Sequence, residues 1–436
     1  MKLITTRSRL SGSVTIPGSK SHTIRAVAIG SLADGTSRVR KPLVAADTLA
    51  AVNAYRLLGA EITMPGGGQD SEILPQQGRE WVIRGVAGRP RVPDNVIDVA
   101  NSGTTLYIAL GSAALVNGTS VFTGDDQIRR RPAGPLIDAL NSLGAKVEST
   151  RGGGLTPLIV RGPMRGGGIK LDCSKTSQYL TALLVNCPLA EGDTTIEIED
   201  LVERPYIEMT LGWLSEQGIE LTNDRFERFT IPGGQRYRPF DKPIRADFSS
   251  ATFFMCAAAI TGSEIMLIGL DPNDTQGDKA VVGMLAAMGA KVEWVEDGLR
   301  IAGGALTSGE FDLADTPDAL PALAVAACFA EGQTRLVNVA QARLKETDRI
   351  SVMREELAKM GGDIEELPDG LIIRGKPLHA AALHGHYDHR VIMALAAAGL
   401  AIEGETTIYT AEALSVTFPT FVELMQGVGA EMRAEE

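Results

Sequence analysis

Leu57-Leu58-Gly59-Ala60-Glu61-Ile62 ends an apolar helical run in a glycine and restarts as a strand, and the phrase returns five times along the chain. The recurrences are Ser142-Leu143-Gly144-Ala145-Lys146-Val147, Glu216-Gln217-Gly218-Ile219-Glu220-Leu221, Ala287-Met288-Gly289-Ala290-Lys291-Val292, Lys359-Met360-Gly361-Gly362-Asp363-Ile364 and Gly427-Val428-Gly429-Ala430-Glu431-Met432. The central glycines are 85, 74, 71, 72 and 68 residues apart, too far for a solenoid repeat. Each repeat is therefore predicted to be a small fold of its own. Its glycine is expected in a left-handed conformation, closing a helix before the chain reverses into a strand.

A second signature precedes the helix in several repeats: a glycine turn, then a β-rich run. Gly118-Thr119-Ser120-Val121, Gly192-Asp193-Thr194-Thr195-Ile196, Gly332-Gln333-Thr334-Arg335-Leu336 and Gly404-Glu405-Thr406-Thr407-Ile408 carry it. Asp47, Asp348 and Thr417 stand where helix caps are expected. Further helical runs, Ala251 to Ile260, Leu320 to Phe329 and Val391 to Leu400, are apolar all round. Helices without a polar face are buried, so helices should pack inside with sheets outside, inverting the usual α/β layering. Six repeats suggest two domains of three, with the break in the polar, proline-bearing stretch Arg236 to Pro243. The strand before Pro17 could join either domain.

Composition agrees with this size. A chain of 436 residues exceeds what one core supports, and 44% hydrophobic with 22% charged residues is ordinary for a globular protein. A net charge of -12 argues against non-specific nucleic-acid binding. An anion could still be bound where cations converge. Met1 to Gly12 has no apolar core of signal-peptide length, and the apolar runs Ala319 to Ala330 and Val391 to Ile402 are too short to span a bilayer. A cytoplasmic protein without membrane contact is expected. Cys173, Cys187, Cys256 and Cys328 are scattered and show no CxxC spacing, so they read as small buried residues.

Candidate chemistry begins at Pro17-Gly18-Ser19-Lys20-Ser21-His22-Thr23-Ile24-Arg25, a glycine turn that places a lysine, hydroxyls and an arginine at the mouth of a helix. It is no nucleotide P-loop, because Val14 and Ser19 stand where that pattern needs glycine. Ser21 and Arg25 are four apart and share a helix face; a capped helix meeting water is the alternative. Arg343-Leu344-Lys345-Glu346-Thr347-Asp348-Arg349 interleaves cations with carboxylates, which suits anion binding with proton transfer, or simply a solvated helix start. Ile128-Arg129-Arg130-Arg131-Pro132 sets three arginines before a proline expected to open a helix. Asn101-Ser102-Gly103-Thr104-Thr105 is a small-residue turn where a ligand could approach the backbone. Thr176-Ser177-Gln178 offers hydroxyls and an amide, or a plain helix cap. His379, His384, His386 and His389 cluster, but the stretch from His384 to His389 reads as a loop without zinc spacing, so no metal is expected. Tyr387-Asp388-His389-Arg390 reads instead as a cationic corner with Arg390 as the ligand.

Taken together, Pro17 to Arg25, Asn101 to Thr104, Arg131-Pro132, Ser177-Gln178, Pro205-Tyr206-Ile207, Lys345 to Arg349, Asp388 to Arg390 and Phe418-Pro419 resemble the enolpyruvyl transferase family, in its order and over nearly the whole chain. The Lys-Glu-Thr-Asp-Arg box resembles the shikimate branch more than the UDP-N-acetylglucosamine branch. The resemblance implies an inverse α/β prism. Its two domains, 17–241 and 1–16 plus 242–436, would each hold three βαββαβ-like repeats, join through a two-stranded hinge and close on the ligands. It implies a monomer, without a cofactor, that transfers the enolpyruvyl group of phosphoenolpyruvate to the 5-hydroxyl of shikimate 3-phosphate. Carried over position by position, Lys20, Ser21, Arg25, Thr176, Ser177, Gln178, Asp318, Gln341 and Lys345 would hold shikimate 3-phosphate. Lys20, Gly103, Arg131, Gln178, Arg349 and Arg390 would hold phosphoenolpyruvate. Asp318 would be the base, Glu346 the acid and Lys20 an assisting group.

The chain departs from the family's common pattern in five places. Glu203 replaces a serine, Tyr107 an arginine, Val416 a lysine, Thr176 a serine and Gln341 an asparagine. A carboxylate at Glu203 would repel a phosphate unless it turns away or pairs with Arg204. The alternatives are a divergent enolpyruvyl transferase acting on another cyclic alcohol, and a non-catalytic anion-binding scaffold.

Overall fold

The computed structural model describes residues 1–64 and 80–436. By their internal contacts these form two units, Pro17–Ile244 and Met1–Ile16 with Arg245–Glu436. Among the described residues there are six four-stranded sheets and twelve α-helices, three sheets and six helices to each unit.

Strands β1 (Lys2–Thr6) and β2 (Ser13–Thr15) open the chain and belong to the second unit. The first unit follows with β3 (Thr36–Arg40), β4 (Glu61–Thr63) and β5 (Glu80–Arg84), joined by β14 (Asp241–Pro243) in the order β14-β3-β5-β4. Its second sheet is β6 (Ile97–Asp98), β7 (Thr119–Thr123), β9 (Leu158–Arg161) and β8 (Lys146–Ser149), in that order; its third is β10 (Gly167–Cys173), β11 (Thr194–Leu201), β13 (Arg228–Ile231) and β12 (Thr222–Asp224). The second unit repeats the plan three times. Its sheets are β16 (Lys291–Val295), β17 (Gly298–Ala302), β15 (Glu264–Ile268) and β2; β18 (Glu310–Asp312), β19 (Gln333–Val337), β21 (Gly370–Arg374) and β20 (Asp363–Leu367); and β22 (Ala382–His384), β23 (Glu405–Tyr409), β1 and β24 (Met432–Glu435).

Every sheet has one parallel pair at an edge and two antiparallel pairs beside it. Distant segments complete three of them. β14 pairs with β3 across some two hundred residues, while β1 and β2 return to the second unit. Strand pairing therefore ties β1 and β2 into the second unit and β14 into the first.

The sheets face water on one side, so their strands alternate: in β5, Trp81 and Ile83 point inward and Arg84 outward. Inside lie α1 (Lys20–Leu32), α3 (Gly103–Ala113) and α5 (Gln178–Asn186) in the first unit, and α7 (Phe248–Thr261), α9 (Leu320–Cys328) and α11 (His389–Gly399) in the second, almost wholly buried. The other six, α2 (Ala46–Leu57), α4 (Gly134–Ser142), α6 (Arg204–Glu216), α8 (Ala280–Ala287), α10 (Arg349–Lys359) and α12 (Phe421–Gly427), keep exposed faces. Apolar helices inside and sheets outside is the expected inversion. Buried polar groups inside the first unit bond to one another: Tyr55 of α2 meets the Ser112 hydroxyl at 2.8 Å, and Ser112 donates to Asn186 of α5 at 2.7 Å.

All six repeat glycines have positive φ, from 72° at Gly218 to 105° at Gly289. Each helix therefore ends where only glycine reverses the chain without strain. The caps differ from expectation in two places. Asp348 does cap α10, accepting from the Ser351 amide at 3.1 Å. Asp47 does not cap α2, whose cap position is Ala45; it lies in the first turn and faces Lys20. Thr417 follows a 3-10 turn, Ala411–Val416, and α12 begins later, behind Thr420. Among the described residues no helix is long and apolar enough to cross a membrane.

Candidate active site

In the first unit, the turn before α1 delivers Lys20 as the helix's first residue. Its ammonium lies 3.0 Å from the Asp47 carboxylate. Arg25, one turn on, is 2% exposed. It donates to the Ser21 carbonyl at 3.0 Å, the Thr210 hydroxyl at 2.9 Å and the Tyr206 carbonyl at 3.0 Å. Burial lowers its pKa to about 10, so it remains a cation at neutral pH. Arg25 thus shapes the helix entrance from beneath.

Gly103 and Arg131 of the second repeat and Gln178 of the third come together. A Cβ on Gly103 would sit 2.9 Å from Arg131 Nη1 and 3.7 Å from Gln178 Oε1, so glycine is what lets the guanidinium approach the start of α3. Thr104 donates to Gln178 Oε1 at 3.0 Å, and Gln178 Nε2 donates to the Thr176 hydroxyl at 3.1 Å. Asn101 supports the turn that carries Arg131 by donating to Asp125 at 2.6 Å, while Asp125 accepts from the amides of Gln127 and Ile128. Pro132 does not open a helix, because a 3-10 turn, Ile128–Arg130, precedes it and α4 starts at Gly134 with Pro135 in its first turn. Instead its carbonyl accepts from Tyr179 at 2.6 Å and Tyr107 at 3.3 Å. Tyr107, where the family commonly has arginine, is therefore a buried brace beside Arg131. Of its neighbours, Arg129 pairs with Asp126.

Thr176 and Ser177 precede α5. Ser177 holds the cap position without making a cap bond; its hydroxyl donates to Glu203 at 3.2 Å. Glu203 is 2% exposed and also receives the Ser177 amide at 3.3 Å and the Thr176 hydroxyl at 3.4 Å.

The second unit gathers carboxylates around two arginines. Arg349, fully buried at the start of α10, donates to Asp318 at 2.6 Å, to Asp388 at 2.8 and 3.2 Å, and to Glu346. Burial opposes its charge, but the Asp388, Glu346 and Asp318 carboxylates outweigh burial and hold its pKa above the ordinary value. Arg390 reaches the other Asp318 oxygen at 2.9 Å and donates to the Ser249 hydroxyl. Asp318 thus links both arginines. Behind it, Asp278 is buried and accepts from Thr316 at 2.5 Å; burial and then the Asp318 charge push its pKa up to about 6, against the pull of Arg390. Gln341 donates to the Ala314 carbonyl at 2.9 Å, Lys345 is half-buried just before α10, and Val416 closes the 3-10 turn near the C-terminus. Arg343 is engaged elsewhere, with Asp348 and Glu366.

The loop expected from His384 to His389 ends sooner: Asp388 caps α11 and His389 is its first residue. His386 meets the buried Glu356 carboxylate at 2.8 Å, and the same carboxylate accepts the His384 amide. Among the described residues no group of three His, Cys, Asp or Glu side chains is placed to hold a metal ion. Sequence reasoning missed the structural weight of Asp47, Asp278, Ser249 and Asp388. Two of them had a local signal: Asp388 stands directly before His389-Arg390, and Asp47 stands where a helix cap is expected.

Buried cations bonded to carboxylates can fix an anion and hold a transferable proton in one place. With the inverted layering, this defines the class: an α/β enzyme with helices inside, built for small anionic substrates. The chain belongs to the EPSP synthase family, whose model, EPSP synthase (3-phosphoshikimate 1-carboxyvinyltransferase), matches residues 4–425. It is 52% identical over 426 residues to a 3-phosphoshikimate 1-carboxyvinyltransferase of Ruminiclostridium cellulolyticum, covering 98% of each chain. It is 51% identical to one of Acetivibrio thermocellus, covering 99% of each. The solved structure of EPSP synthase from Acinetobacter baumannii matches all of both chains with a TM-score of 0.83 at 28% identity.

Proposed function

We infer that the protein carries out the reaction of its family: the carboxyvinyl group of phosphoenolpyruvate passes to the 5-hydroxyl of shikimate 3-phosphate, and inorganic phosphate leaves. The observation that carries this reading is identity above one half, over nearly the full length, with 3-phosphoshikimate 1-carboxyvinyltransferases.

The hydroxyl oxygen adds to C2 of phosphoenolpyruvate as C3 takes a proton, giving a tetrahedral adduct. The adduct then loses phosphate from C2 and a proton from C3, restoring the double bond. Oxidation state is conserved, so no cofactor enters the balance. Asp318 is assigned as the base for the hydroxyl, Glu346 as the acid for C3, and Lys20 as an aid at the hydroxyl or bridging oxygen. One guanidinium, Arg349, bonds both carboxylates, which holds them in fixed orientation, a condition for efficient proton transfer.

Lys20, Gly103, Arg131 and Gln178 of the first unit, and Arg349 and Arg390 of the second, are assigned to phosphoenolpyruvate. Lys20, Ser21, Arg25, Thr176, Ser177 and Gln178 of the first, and Asp318, Gln341 and Lys345 of the second, are assigned to shikimate 3-phosphate. Each charge-assisted bond to a phosphate or carboxylate is worth about 1.5 to 3 kcal/mol. The protein is assigned as a monomer. The four cysteines are free and buried, which suits a reducing cytoplasm.

Phosphate release measured with both substrates tests the reading, and release that needs both is expected. Turnover with another cyclic alcohol but none with shikimate 3-phosphate would point to a divergent transferase; tight binding without turnover on any acceptor would point to a scaffold.

A further inference from the structure

One face of α10 holds the segment that carries Arg390 at two points. Arg349 and Glu356 are seven residues apart on this helix, two turns, so they project from the same side about 10 Å apart. Arg349 grips Asp388 at 2.8 and 3.2 Å, and Thr347 adds a bond to Asp388 at 3.2 Å. Glu356 takes hold of the chain just upstream. Its Oε2 accepts the His384 amide at 2.9 Å, and its Oε1 accepts from His386 Nε2 at 2.8 Å. Between the two grips lies the turn His384 to Tyr387, and directly after it Asp388 accepts the Arg390 amide at 2.9 Å. Arg349 belongs to the reaction described above, whereas Glu356 has no part in it.

The competing explanation is stability alone, through the ion pair of Glu356 with Lys359 at 2.8 and 2.9 Å. Two features weigh against it. The Glu356 side chain is 1% exposed and that of Lys359 49%, and a charge drawn into the interior stabilises poorly, since lost hydration offsets the attraction. The other bonds of the carboxylate leave α10 altogether and end on the turn. Burial opposes its charge, but Lys359, the His384 amide and His386 outweigh burial and hold its pKa below the ordinary carboxyl value, so Glu356 grips as an anion. Within the turn, the His386 amide donates to His384 Nδ1 at 3.0 Å and the Tyr387 amide to the Thr410 hydroxyl at 3.2 Å. The direction in which the chain enters α11 is thus fixed by hydrogen bonds, two of them to Glu356.

We propose that Glu356 is a positioning residue for phosphoenolpyruvate: through the turn His384 to Tyr387 it sets how the start of α11 presents Arg390. The inference rests on the assignment of Arg390 to phosphoenolpyruvate. A guanidinium is a planar fork whose bonds to an anion depend on alignment. The Arg390 fork is held at its tip by Asp318 and Ser249, and at its backbone by the clamped segment. Slack in the turn tilts the fork away from the anion. Gln341 and Lys345, assigned to the acceptor, stand ahead of α10 and not on this segment, and Asp318 keeps its bond to Arg349. The acceptor should therefore be spared.

The test uses the full chain and the KM of each substrate at neutral pH. Glu356→Gln keeps the size of the side chain and an oxygen for the His384 amide, but not the charge that holds His386. The phosphoenolpyruvate KM should rise about tenfold, the scale of one weakened charge-assisted bond, while the KM for shikimate 3-phosphate stays within about twofold. In an Arg390→Lys background, Glu356→Gln should add little further, because residues acting as one unit are not additive. An unchanged phosphoenolpyruvate KM overturns the proposal. So does a parallel rise in both KM values, the mark of a purely structural residue, or full additivity with Arg390→Lys. If the glutamine variant does not fold, His386→Ala decides, since that side chain is 31% exposed: a rise confined to the phosphoenolpyruvate KM supports the proposal, and no rise or a parallel one removes it. Wild-type turnover with variants that match it defeats the positioning role alone. A wild type that releases no phosphate from phosphoenolpyruvate with shikimate 3-phosphate defeats the assigned function, and the positioning role with it.

Discussion

The Lys20 ammonium is anchored by Asp47, 3.0 Å away and 27 residues later in the chain, with the carboxylate 5% and the lysine side chain 18% exposed. A lysine is a point charge on a flexible stem, and this partner fixes where the charge sits. Asp47 is itself favoured where it stands, in the first turn of α2. An ammonium has three protons, so one bond to Asp47 fixes Lys20 while leaving capacity for ligands.

Lys20→Ala should therefore weaken both substrates. Loss of one charge-assisted bond to each, about 1.5 to 3 kcal/mol, corresponds to KM increases of about tenfold to a hundredfold. Steady-state kinetics with each substrate varied in turn would check this, and a loss confined to one substrate contradicts the shared role. Asp47→Asn keeps the lysine but slackens its anchor, so kcat/KM should fall by less than in Lys20→Ala.

Glu346→Gln preserves the size of the side chain and an oxygen for Arg349 while removing the transferable proton. General acid catalysis contributes about a hundredfold to ten-thousandfold. The variant should lose turnover on that scale while binding both substrates nearly as before, as equilibrium binding and single-turnover measurements would reveal. Unchanged turnover would remove Glu346 from the role.

Arg349 pairs with three carboxylates, and Asp388 among them is wholly buried. Replacing it with methionine leaves buried charges without their counter-ion, a change that typically costs about 3 to 5 kcal/mol. Arg349→Met should show a large fall in urea midpoint at neutral pH. Arg349→Lys, which keeps the charge but not the fork of donors, should fall less, and equal losses in the two variants would mean that packing, not charge, fixes Arg349.

Asp278 supplies a pH dependence of the opposite sign from an ordinary paired carboxylate. Its folded pKa of about 6 exceeds the ordinary carboxyl value of 3.8, chiefly through burial. Between those values the unfolded chain has lost the proton and the folded chain keeps it, so stability falls as pH rises and levels off above about 6. A difference of this size is worth about 3 kcal/mol. Asn in its place can still accept from Thr316 and never charges. Asp278→Asn should flatten the decline in melting temperature between pH 4 and pH 7; an unaltered profile would assign that decline to other groups.

The repeats were legible because their signals are local: a glycine at a reversal, an apolar helix, a β-rich run. Lys20, Gly103, Arg131 and Gln178 were legible as anion-site candidates because a cation or glycine beside a helix start is local as well. Asp47 was taken for a cap because its pairing with Lys20 depends on how α1 packs on α2. Asp278 carries no sequence signal at all, since its raised pKa arises from burial beside Asp318, 40 residues away. Glu203 was legible as a departure from the family, but its seat on Thr176 and Ser177 is a tertiary fact.

Gly144 and Gly289 occupy equivalent turns, with φ of 98° and 105°, yet alanine should affect them differently. The left-handed conformation costs a residue with a side chain about 1 to 2 kcal/mol, a cost common to both. At Gly144 an added Cβ would find its nearest neighbour, Arg165 Cγ, at an ordinary 3.8 Å. At Gly289 it would come within 2.6 Å of the Ala305 carbonyl oxygen, a backbone atom that can yield only if the turn moves, adding about 1 to 3 kcal/mol. With about 2 to 4 °C per kcal/mol for units of this size, thermal unfolding should separate the two variants clearly, Gly289→Ala melting lower. Equal losses would mean that the turn after α8 relaxes around the methyl group and that φ alone demands the glycine there.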